Sequence, residues 1–145
     1  YQSGAFAAAA RLVIEAGPSE AFVNIGTAAV PVERRGLRGQ GNPGVLNATG
    51  TLTAAMIASG IVTSTTAAAV TATLDTGAVM DGALKMEIGE SFDWSVINTG
   101  GNAFTVTAAA TGHTIVGTAA VATLTSATWR TRKTAAATYI SYRIA

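Results

Sequence analysis

The chain has no cysteine and a single histidine, His113, among its 145 residues. The absence of cysteine excludes disulfides, thiolate nucleophiles and cysteine metal sites together, and it leaves the redox compartment open. A serine nucleophile needs a neighbouring base, and the lone histidine has no recognisable companion motif. We therefore expect the protein not to be an enzyme, to hold no metal and to need no cofactor.

Charged side chains are also scarce. Asp, Glu, Lys and Arg make up 12% of the chain, whereas ordinary soluble domains have roughly a quarter. Two windows, residues 39–74 and 94–129, contain none of them. A soluble monomer normally spreads charge over its surface. We therefore expect much of this surface to be covered by other copies of the chain or by a partner.

Nucleic acid and membranes are poor partners for such a composition. The formal net charge is +1, so no global field attracts anionic polymers or lipids. Gly, Asn, Thr and Ser interrupt every apolar run well before the roughly 18 residues that a spanning helix needs. The apolar run at residues 5–10 is too short and too poorly flanked for an intact signal peptide. The first residue is Tyr1 rather than Met, and processing, an upstream segment and a shorter fragment stay open as explanations.

Short β-type runs are abundant, above all in residues 91–144. They are rich in Val, Ile, Thr and aromatic residues and are separated by clusters of Gly, Asn, Ser and Ala. No interval between them is long enough for a crossover helix, so we expect antiparallel pairing. About eight strands in about 100 residues predict an all-β fold, namely an antiparallel sandwich, jelly roll or compact barrel.

Two earlier segments depart from this strand pattern. Residues 52–59 suit a short helix or a strand, and residues 75–84 break the alternation and suit one helical turn. Later in the chain, Phe92 and Trp94 fall on one face of a strand, and Phe104 lies in the next. These three large aromatic side chains are the predicted core residues.

Residues 1–44 differ from the rest of the chain. Residues 12–14 and 21–25 flank a Gly-Pro-Ser turn and are compatible with a small hairpin. Glycine and proline recur through residues 31–44, which disfavours both helix and inner strand. We therefore divide the chain into an extended N-terminal arm with a possible hairpin, residues 1–44, and a β domain, residues 45–145.

Five arginines are the candidate contacts with other subunits or with a capsid. Arg34, Arg35 and Arg38 cluster in the arm, where they either clamp carboxylates of a neighbouring subunit or face water. Arg130 and Arg132 alternate along one strand and therefore share a face, turned to a subunit contact or to solvent. No aromatic residue lies among the arm arginines to stack bases, which disfavours nucleic acid.

The remaining polar candidates are better explained by structure than by chemistry. His113 is expected on the surface or hydrogen-bonded in a loop rather than as a metal ligand, because it has no His or Cys partners. Glu87, Glu90 and Asp93 form the densest carboxylate group, and a carboxylate pair is what glycoside hydrolysis uses. Acids at a strand entrance more often keep it soluble.

The runs Ser-Phe-Asp-Trp-Ser-Val-Ile-Asn, Phe-Thr-Val-Thr, Gly-His-Thr-Ile-Val-Gly, Trp-Arg-Thr-Arg-Lys-Thr and Tyr-Ile-Ser-Tyr-Arg-Ile resemble a β module of structural proteins from tailed phages and other large DNA viruses. In that group the module looks like part of capsid decoration (cement) or fibre proteins. The positions that match its final element are Trp129, Arg132, Lys133, Thr134, Tyr142, Arg143 and Ile144. The match covers roughly residues 61–145 and leaves out residues 1–44.

The resemblance implies a structural virion protein, most simply a capsid decoration (cement) protein on the capsid surface. Its partners would be the major capsid protein or other copies of itself, with a homo-oligomer expected and a trimer favoured. One alternative is an extracellular filament subunit in which residues 5–14 donate a strand to a neighbour. Another is a receptor- or glycan-binding fibre domain that uses Tyr139 and Tyr142. Closed trimers suit decoration or fibre, and open helical repetition suits a filament.

Overall fold

The computed structural model describes residues 13–15, 21–23 and 40–145. The chain divides into two units, Tyr1–Gly39 and Gln40–Ala145. In the first unit, strand β1 (Val13–Glu15) pairs antiparallel with strand β2 (Ala21–Val23), with Ile14 opposite Phe22. The other residues of the first unit lie outside the described residues. The predicted arm and its boundary at residue 44 therefore stay predictions.

The second unit contains ten strands and two helices. In chain order they are β3 (Gly44–Val45), β4 (Gly50–Leu52), α1 (Ala54–Ala58), β5 (Ile61–Ser64), β6 (Val70–Leu74), α2 (Gly77–Leu84), β7 (Ser91–Asn98), β8 (Phe104–Thr107), β9 (His113–Val116), β10 (Ala120–Val121), β11 (Thr125–Ala135) and β12 (Thr138–Arg143). Within the described ranges, no helix has the length and apolar character required to cross a membrane.

From β3 to β11 the chain alternates between two sheets. One sheet has six strands in the order β3-β5-β7-β11-β12-β9, and the other has four in the order β10-β8-β6-β4. Each strand from β3 to β10 is thus followed by a strand of the opposite sheet. The neighbouring pairs β3–β5, β5–β7, β4–β6, β6–β8 and β8–β10 are therefore two steps apart along the chain.

The pairing is consequently mixed. β3, β5 and β7 are parallel, as are β4, β6 and β8, and β9 runs parallel to β12. β11 is antiparallel to β7 and β12, and β10 is antiparallel to β8. The prediction of an all-β, antiparallel sandwich, jelly roll or compact barrel is wrong, because the fold is α/β with two mixed sheets and two helices. Two parallel strands need a crossover connection between them. Here that connection contains a strand of the other sheet, as β6 lies between the parallel strands β5 and β7.

Two side chains cap the N-terminal end of helix α1. The hydroxyl of Thr53 accepts a hydrogen bond from the Met56 backbone N–H at 3.3 Å. The carboxylate of Asp75 accepts one from the Ala54 N–H at 2.8 Å. These contacts satisfy N–H groups that have no partner inside the helix. Residues 52–59, which were compatible with a helix or a strand, therefore contain a short helix.

Helix α2 is longer than the single turn predicted for residues 75–84. Thr76 caps its start and accepts a hydrogen bond from the Val79 N–H at 3.5 Å. The helix ends at Lys85, whose φ of 52° lies in the left-handed region. Eight residues are thus helical.

One hydrophobic core joins the two sheets and both helices. Its buried members include Leu52, Ala54, Ile57, Val62, Val70, Leu74, Met80, Trp94, Val96, Phe104, Val106, Trp129 and Tyr139. Trp94 and Phe104 are 1% and 0% exposed, which confirms their predicted place in the core. Phe92 is half-buried and packs against the same cluster. Trp94 stacks on Trp129 with ring centroids 4.8 Å apart.

Candidate functional site

We call the side of the six-stranded sheet that is turned away from the core its outer face. The alternation along β7 defines it, since Trp94 and Val96 are buried whereas Asp93 and Ile97 are exposed. In the neighbouring β11, Trp129 is buried and Arg130 is exposed.

Aliphatic side chains are exposed across this outer face. Val45, Ile97 and Val116 are 58%, 38% and 49% exposed, and Ile144, directly after β12, is 51% exposed. The register places Val45, Thr63 and Ile97 side by side on three neighbouring strands. Exposed aliphatic residues gathered on one sheet face are typical of a contact surface.

An ion pair lies on the outer face. Asp93 of β7 and Arg130 of β11 are directly opposite each other in the register. Arg130 Nε donates to Asp93 Oδ1 at 2.7 Å and Nη2 donates to Oδ2 at 2.8 Å, a bidentate geometry. The hydrogen bonds from Arg130 lower the pKa of Asp93 and raise the pKa of Arg130. Because both side chains are exposed, the pair adds little to stability, but it cancels two charges on this face.

The structure places two of the five predicted contact arginines. Arg130 and Arg132 are both exposed on the outer face, and Arg130 is engaged with Asp93. Arg132 lies beside Gly89 and forms no ion pair with another residue that the structure describes. The arm residues Arg34, Arg35 and Arg38 lie outside the described residues. The role of all five as subunit or capsid contacts stays a prediction.

A groove of about 290 Å³ borders the outer face where β7 ends and β11 begins. Ile97 and Leu124 line it together with polar residues of both strands. Leu124 is 77% exposed and has a φ of 57°, a conformation that disfavours residues with a Cβ. Nothing in the packing of the core accounts for a large aliphatic side chain held outward in this conformation.

Behind the sheet, buried polar side chains form a chain of hydrogen bonds. Trp94 Nε1 donates to Thr131 Oγ1 at 2.8 Å. The hydroxyls of Thr131 and Ser141 are 2.7 Å apart, and Ser141 Oγ is 2.8 Å from His113 Nε2. His113 Nδ1 lies 3.3 Å from the carbonyl oxygen of Asp75, which can only accept. Nδ1 therefore carries the proton. The Thr131 hydroxyl then donates to the Ser141 oxygen, and the Ser141 hydroxyl donates to His113 Nε2.

This arrangement buries Ser141 and His113 and occupies their hydrogen-bonding groups. Both side chains are 0% exposed, and the Ser141 hydroxyl accepts from Thr131 while it donates to His113. His113 lies in strand β9 and is fully hydrogen-bonded. The predicted hydrogen bonding of His113 is confirmed, but its predicted place on the surface or in a loop is wrong, because it is buried at the start of β9. Its partners lie in β12 and directly before α2, far from it along the chain.

We expect the buried His113 to make the protein less stable in acid. Burial lowers its pKa from 6.5 to about 4, against a smaller opposing effect of Asp75. The unfolded chain therefore takes up this proton more readily, and stability that is complete above about pH 6.5 declines as the pH falls toward 4. The loss amounts to roughly 3 kcal/mol.

The test compares the parent with His113→Gln by denaturant unfolding at pH 7 and pH 4.5. The variant should be less stable at pH 7 but should lose less stability between the two values. The hydrogen bonds from Lys133, Tyr139 and Ala137 lower the pKa of Asp81 to about 2, so the stability that Asp81 contributes is lost below about pH 4, outside this window. An equal decline in both proteins would show that His113 does not carry the pH dependence.

A second polar cluster fastens α2 to the hairpin of β11 and β12. Asp81 Oδ1 lies 2.7 Å from Lys133 Nζ and accepts from the Tyr139 hydroxyl, and Oδ2 accepts from the Ala137 N–H at 2.8 Å. These bonds, with that from Lys133 the strongest, lower the pKa of Asp81 to about 2. Burial and Asp81 raise the pKa of Tyr139. Tyr139 is 0% exposed, so it is not available to a receptor, whereas Tyr142 is half-buried.

The carboxylates predicted as a dense group do not converge on a common point. Asp93 pairs with Arg130, and the Glu90 carboxylate accepts a hydrogen bond from the Glu87 N–H at 2.8 Å. In the part of the chain that the structure describes, no three His, Cys, Asp or Glu side chains are grouped to hold a metal ion.

Sequence reasoning missed Leu124 and its groove. The left-handed conformation falls at the middle of Thr123-Leu124-Thr125, where no Gly, Asn or Pro marks a turn. The available signal was a large aliphatic residue flanked on both sides by threonine, after a short strand.

Comparison of the chain with known protein families, with curated proteins and with solved structures gave no match. The resemblance to capsid decoration and fibre proteins therefore stays a hypothesis.

Proposed function

We propose that this chain is a structural virion protein, a capsid decoration (cement) protein, and that it assembles with other copies of itself through the outer face of the six-stranded sheet. The observation that carries the proposal is the exposure of Val45, Ile97, Val116 and Ile144 on this one face. Burying such side chains between subunits is favourable in proportion to the apolar area removed from water.

The polar groups of the outer face favour contact between proteins. Asp93 and Arg130 neutralise each other, so this face contacts a neighbouring copy without leaving these charges unpaired. Thr63 and Ser126 lie in the same row as Ile97 and offer hydroxyl groups for hydrogen bonds across a contact. The surface therefore combines aliphatic contact area with few charges to desolvate.

The remaining chemistry of the domain supports a structural role. His113 is used in a buried hydrogen-bond chain, and Asp81 is used to hold α2. The groove next to the outer face is lined by Ile97, Leu124 and uncharged polar residues. A protein that covers a repeating shell gains stability from many modest contacts rather than from one strong site.

Electron microscopy of native particles tests the virion role. Antibodies raised against residues 40–145 should label the outer surface of purified particles, and density at their surface should place the outer face in a contact between copies. Labelling of extracellular filaments with unlabelled particles would overturn the decoration role in favour of the filament alternative.

We expect Leu124→Gly to separate stability from assembly. Glycine adopts a positive φ without the Cβ penalty of roughly 1–2 kcal/mol, and its greater freedom in the unfolded chain offsets part of that gain. The melting temperature should stay the same or rise slightly. Self-association should weaken, because the exposed side chain beside the groove is lost. Melting curves and sedimentation velocity on the full chain measure both effects.

The matched control is Ala137→Gly. Ala137 also has a positive φ, 47°, but lies in the turn between β11 and β12 rather than at the groove. This variant should keep the self-association of the parent. Unchanged self-association in Leu124→Gly would remove Leu124 and its groove from the contact surface.

A further inference from the structure

The four-stranded sheet presents threonine on the side that is turned away from the core. Its inward side chains, such as Leu52, Ala72 and Val106, are buried in the core. On three of its strands the alternate positions are threonine, namely Thr51 of β4, Thr71 and Thr73 of β6, and Thr105 and Thr107 of β8. Thr51 and Thr71 are exposed, and the other three are half-buried. We call these five side chains the threonine face.

The threonine face is a regular array in two directions. Thr51, Thr73 and Thr107 lie side by side on three neighbouring strands, and Thr71 lies beside Thr105 in the next row. The three strands are parallel, so the rows stay in register. Neighbouring strands are about 4.8 Å apart, and residues two positions apart on one strand are about 6.6 Å apart. Threonine therefore repeats at one spacing along the strands and at another across them.

Hydrogen bonds anchor the array to the sheet beneath it. The hydroxyl oxygens of Thr73 and Thr107 are 3.0 Å apart, across two strands. The Thr107 hydroxyl also donates to the Ala72 carbonyl at 3.5 Å, and the Thr71 N–H donates to the Thr49 hydroxyl at 3.0 Å. Side-chain ladders of this kind are one way in which a sheet is kept flat.

The sheet that carries the threonine face has no charged residue in its strands. None of β4, β6, β8 and β10 contains Asp, Glu, Lys or Arg. All four strands fall within the two charge-free windows, residues 39–74 and 94–129. Exposed sheet surfaces and edges normally carry charges for solubility. A charge would hold a hydration shell of its own, whereas hydroxyl and methyl groups leave water free to adopt a lattice.

We propose that the threonine face binds ice. The two spacings of the array are close to the repeat distances between oxygen atoms on a prism face of ice. Each hydroxyl donates to and accepts from lattice water, and the methyl groups between the hydroxyls contact the same water layer. Each contact is weak, but all of them form at once on a rigid surface. The ligand is thus ordered water, and the activity goes beyond the virion role because it uses the sheet opposite to the outer face.

Ice itself is the probe that tests this binding. A dilute solution of the full chain is frozen slowly until half of its volume is ice, and the protein in the ice and in the liquid is measured. Growing ice excludes ordinary proteins, so the parent should be enriched in the ice relative to serum albumin. Thr71→Asp should lower the fraction in the ice several-fold, and Thr51→Asp, on the neighbouring strand, should do the same. Melting curves check that both exposed substitutions leave the fold intact.

Ala136→Asp is the matched control. It adds the same charge at an exposed position in the turn between β11 and β12, so it should enter the ice as the parent does. Ice recrystallisation gives a second measurement, in which the parent and Ala136→Asp should keep ice grains small in frozen sucrose solution. Grains should coarsen with Thr71→Asp as they do with serum albumin.

The outcomes separate ice binding from the proposed function. A parent that stays in the liquid like serum albumin would overturn ice binding and leave the assembly surface untouched. Ile97→Asp, which alters only the outer face, should still enter the ice. If Ile97→Asp is excluded while Thr71→Asp is retained, the threonine face is not the surface that binds ice. If the parent enters the ice but sediments as a monomer, ice binding stands and assembly through the outer face is wrong.

Discussion

Replacing Trp94 by alanine should lower the free energy of unfolding by about 3 to 5 kcal/mol. The Trp94 ring is 1% exposed and stacks on Trp129, and its Nε1 donates to Thr131. Alanine opens a cavity between the two sheets and removes the first donor of the buried hydrogen-bond chain. Urea unfolding of the full chain, followed by far-UV circular dichroism, measures the change.

Trp94→Phe is the matched control. Phenylalanine keeps a ring against Trp129 but cannot donate to Thr131, so its cost should lie between those of the parent and the alanine variant. The difference in unfolding free energy between Trp94→Phe and Trp94→Ala then reports the lost apolar contact. The difference between the parent and Trp94→Phe reports the lost hydrogen bond and the change of ring shape. A Trp94→Ala protein that unfolds at the urea concentration of the parent would contradict the assignment of the buried face.

Gly77→Ala should destabilise the protein even more, although alanine normally stabilises a helix by about 1 kcal/mol over glycine. A Cβ on Gly77 would lie 1.8 Å from the Ala137 carbonyl oxygen and 2.6 Å from that of Gly112. Both atoms are backbone, so helix α2 and the two adjoining turns must move apart. We expect a loss of more than about 4 kcal/mol, or no folded protein.

Gly82→Ala in the same helix should instead stabilise the protein. A Cβ there meets nothing within 4 Å, so helix propensity and reduced freedom of the unfolded chain act alone. The expected gain is up to about 1 kcal/mol, measured by thermal unfolding of both variants beside the parent. Equal melting temperatures for Gly77→Ala and the parent would show that the start of α2 does not approach the β11–β12 turn.

Local sequence pattern predicted the strands well. The run Ser-Phe-Asp-Trp-Ser-Val-Ile-Asn coincides with β7, because alternating burial leaves a period of two in the sequence. Sheet membership was not predictable in this way. Whether β6 pairs with β4 and β8 or with β5 and β7 depends on contacts between residues far apart in the chain.

The length of α2 was also beyond local reasoning. Its sequence, Gly-Ala-Val-Met-Asp-Gly-Ala-Leu, contains two glycines that lower helix propensity. Asp81, in its middle, is bonded to Lys133 and Tyr139 of the distant hairpin. Tertiary contacts thus hold a helix of eight residues where the sequence indicates one turn.

The candidate site was predictable in part. The alternation of Arg130 and Arg132 correctly placed both on one face, but the partner of Arg130, Asp93, lies 37 residues earlier. Threonine occurs on both sides of the sheet, since Thr131 is buried and Thr63 is half-buried on the outer face. Polarity therefore does not distinguish the core side from the contact side, and only the alternation along β7 places the aliphatic Ile97 on the face opposite Trp94.

Sedimentation velocity of the full chain tests most directly whether the outer face is the assembly surface. The parent should sediment as a closed oligomer, with a trimer favoured, and Ile97→Asp should sediment as a monomer because it places a charge among aliphatic contacts. Thr71→Asp, which adds the same charge to the outward side of the four-stranded sheet, should behave like the parent. A monomeric parent, or an Ile97→Asp variant that sediments like the parent, would contradict assembly through the outer face.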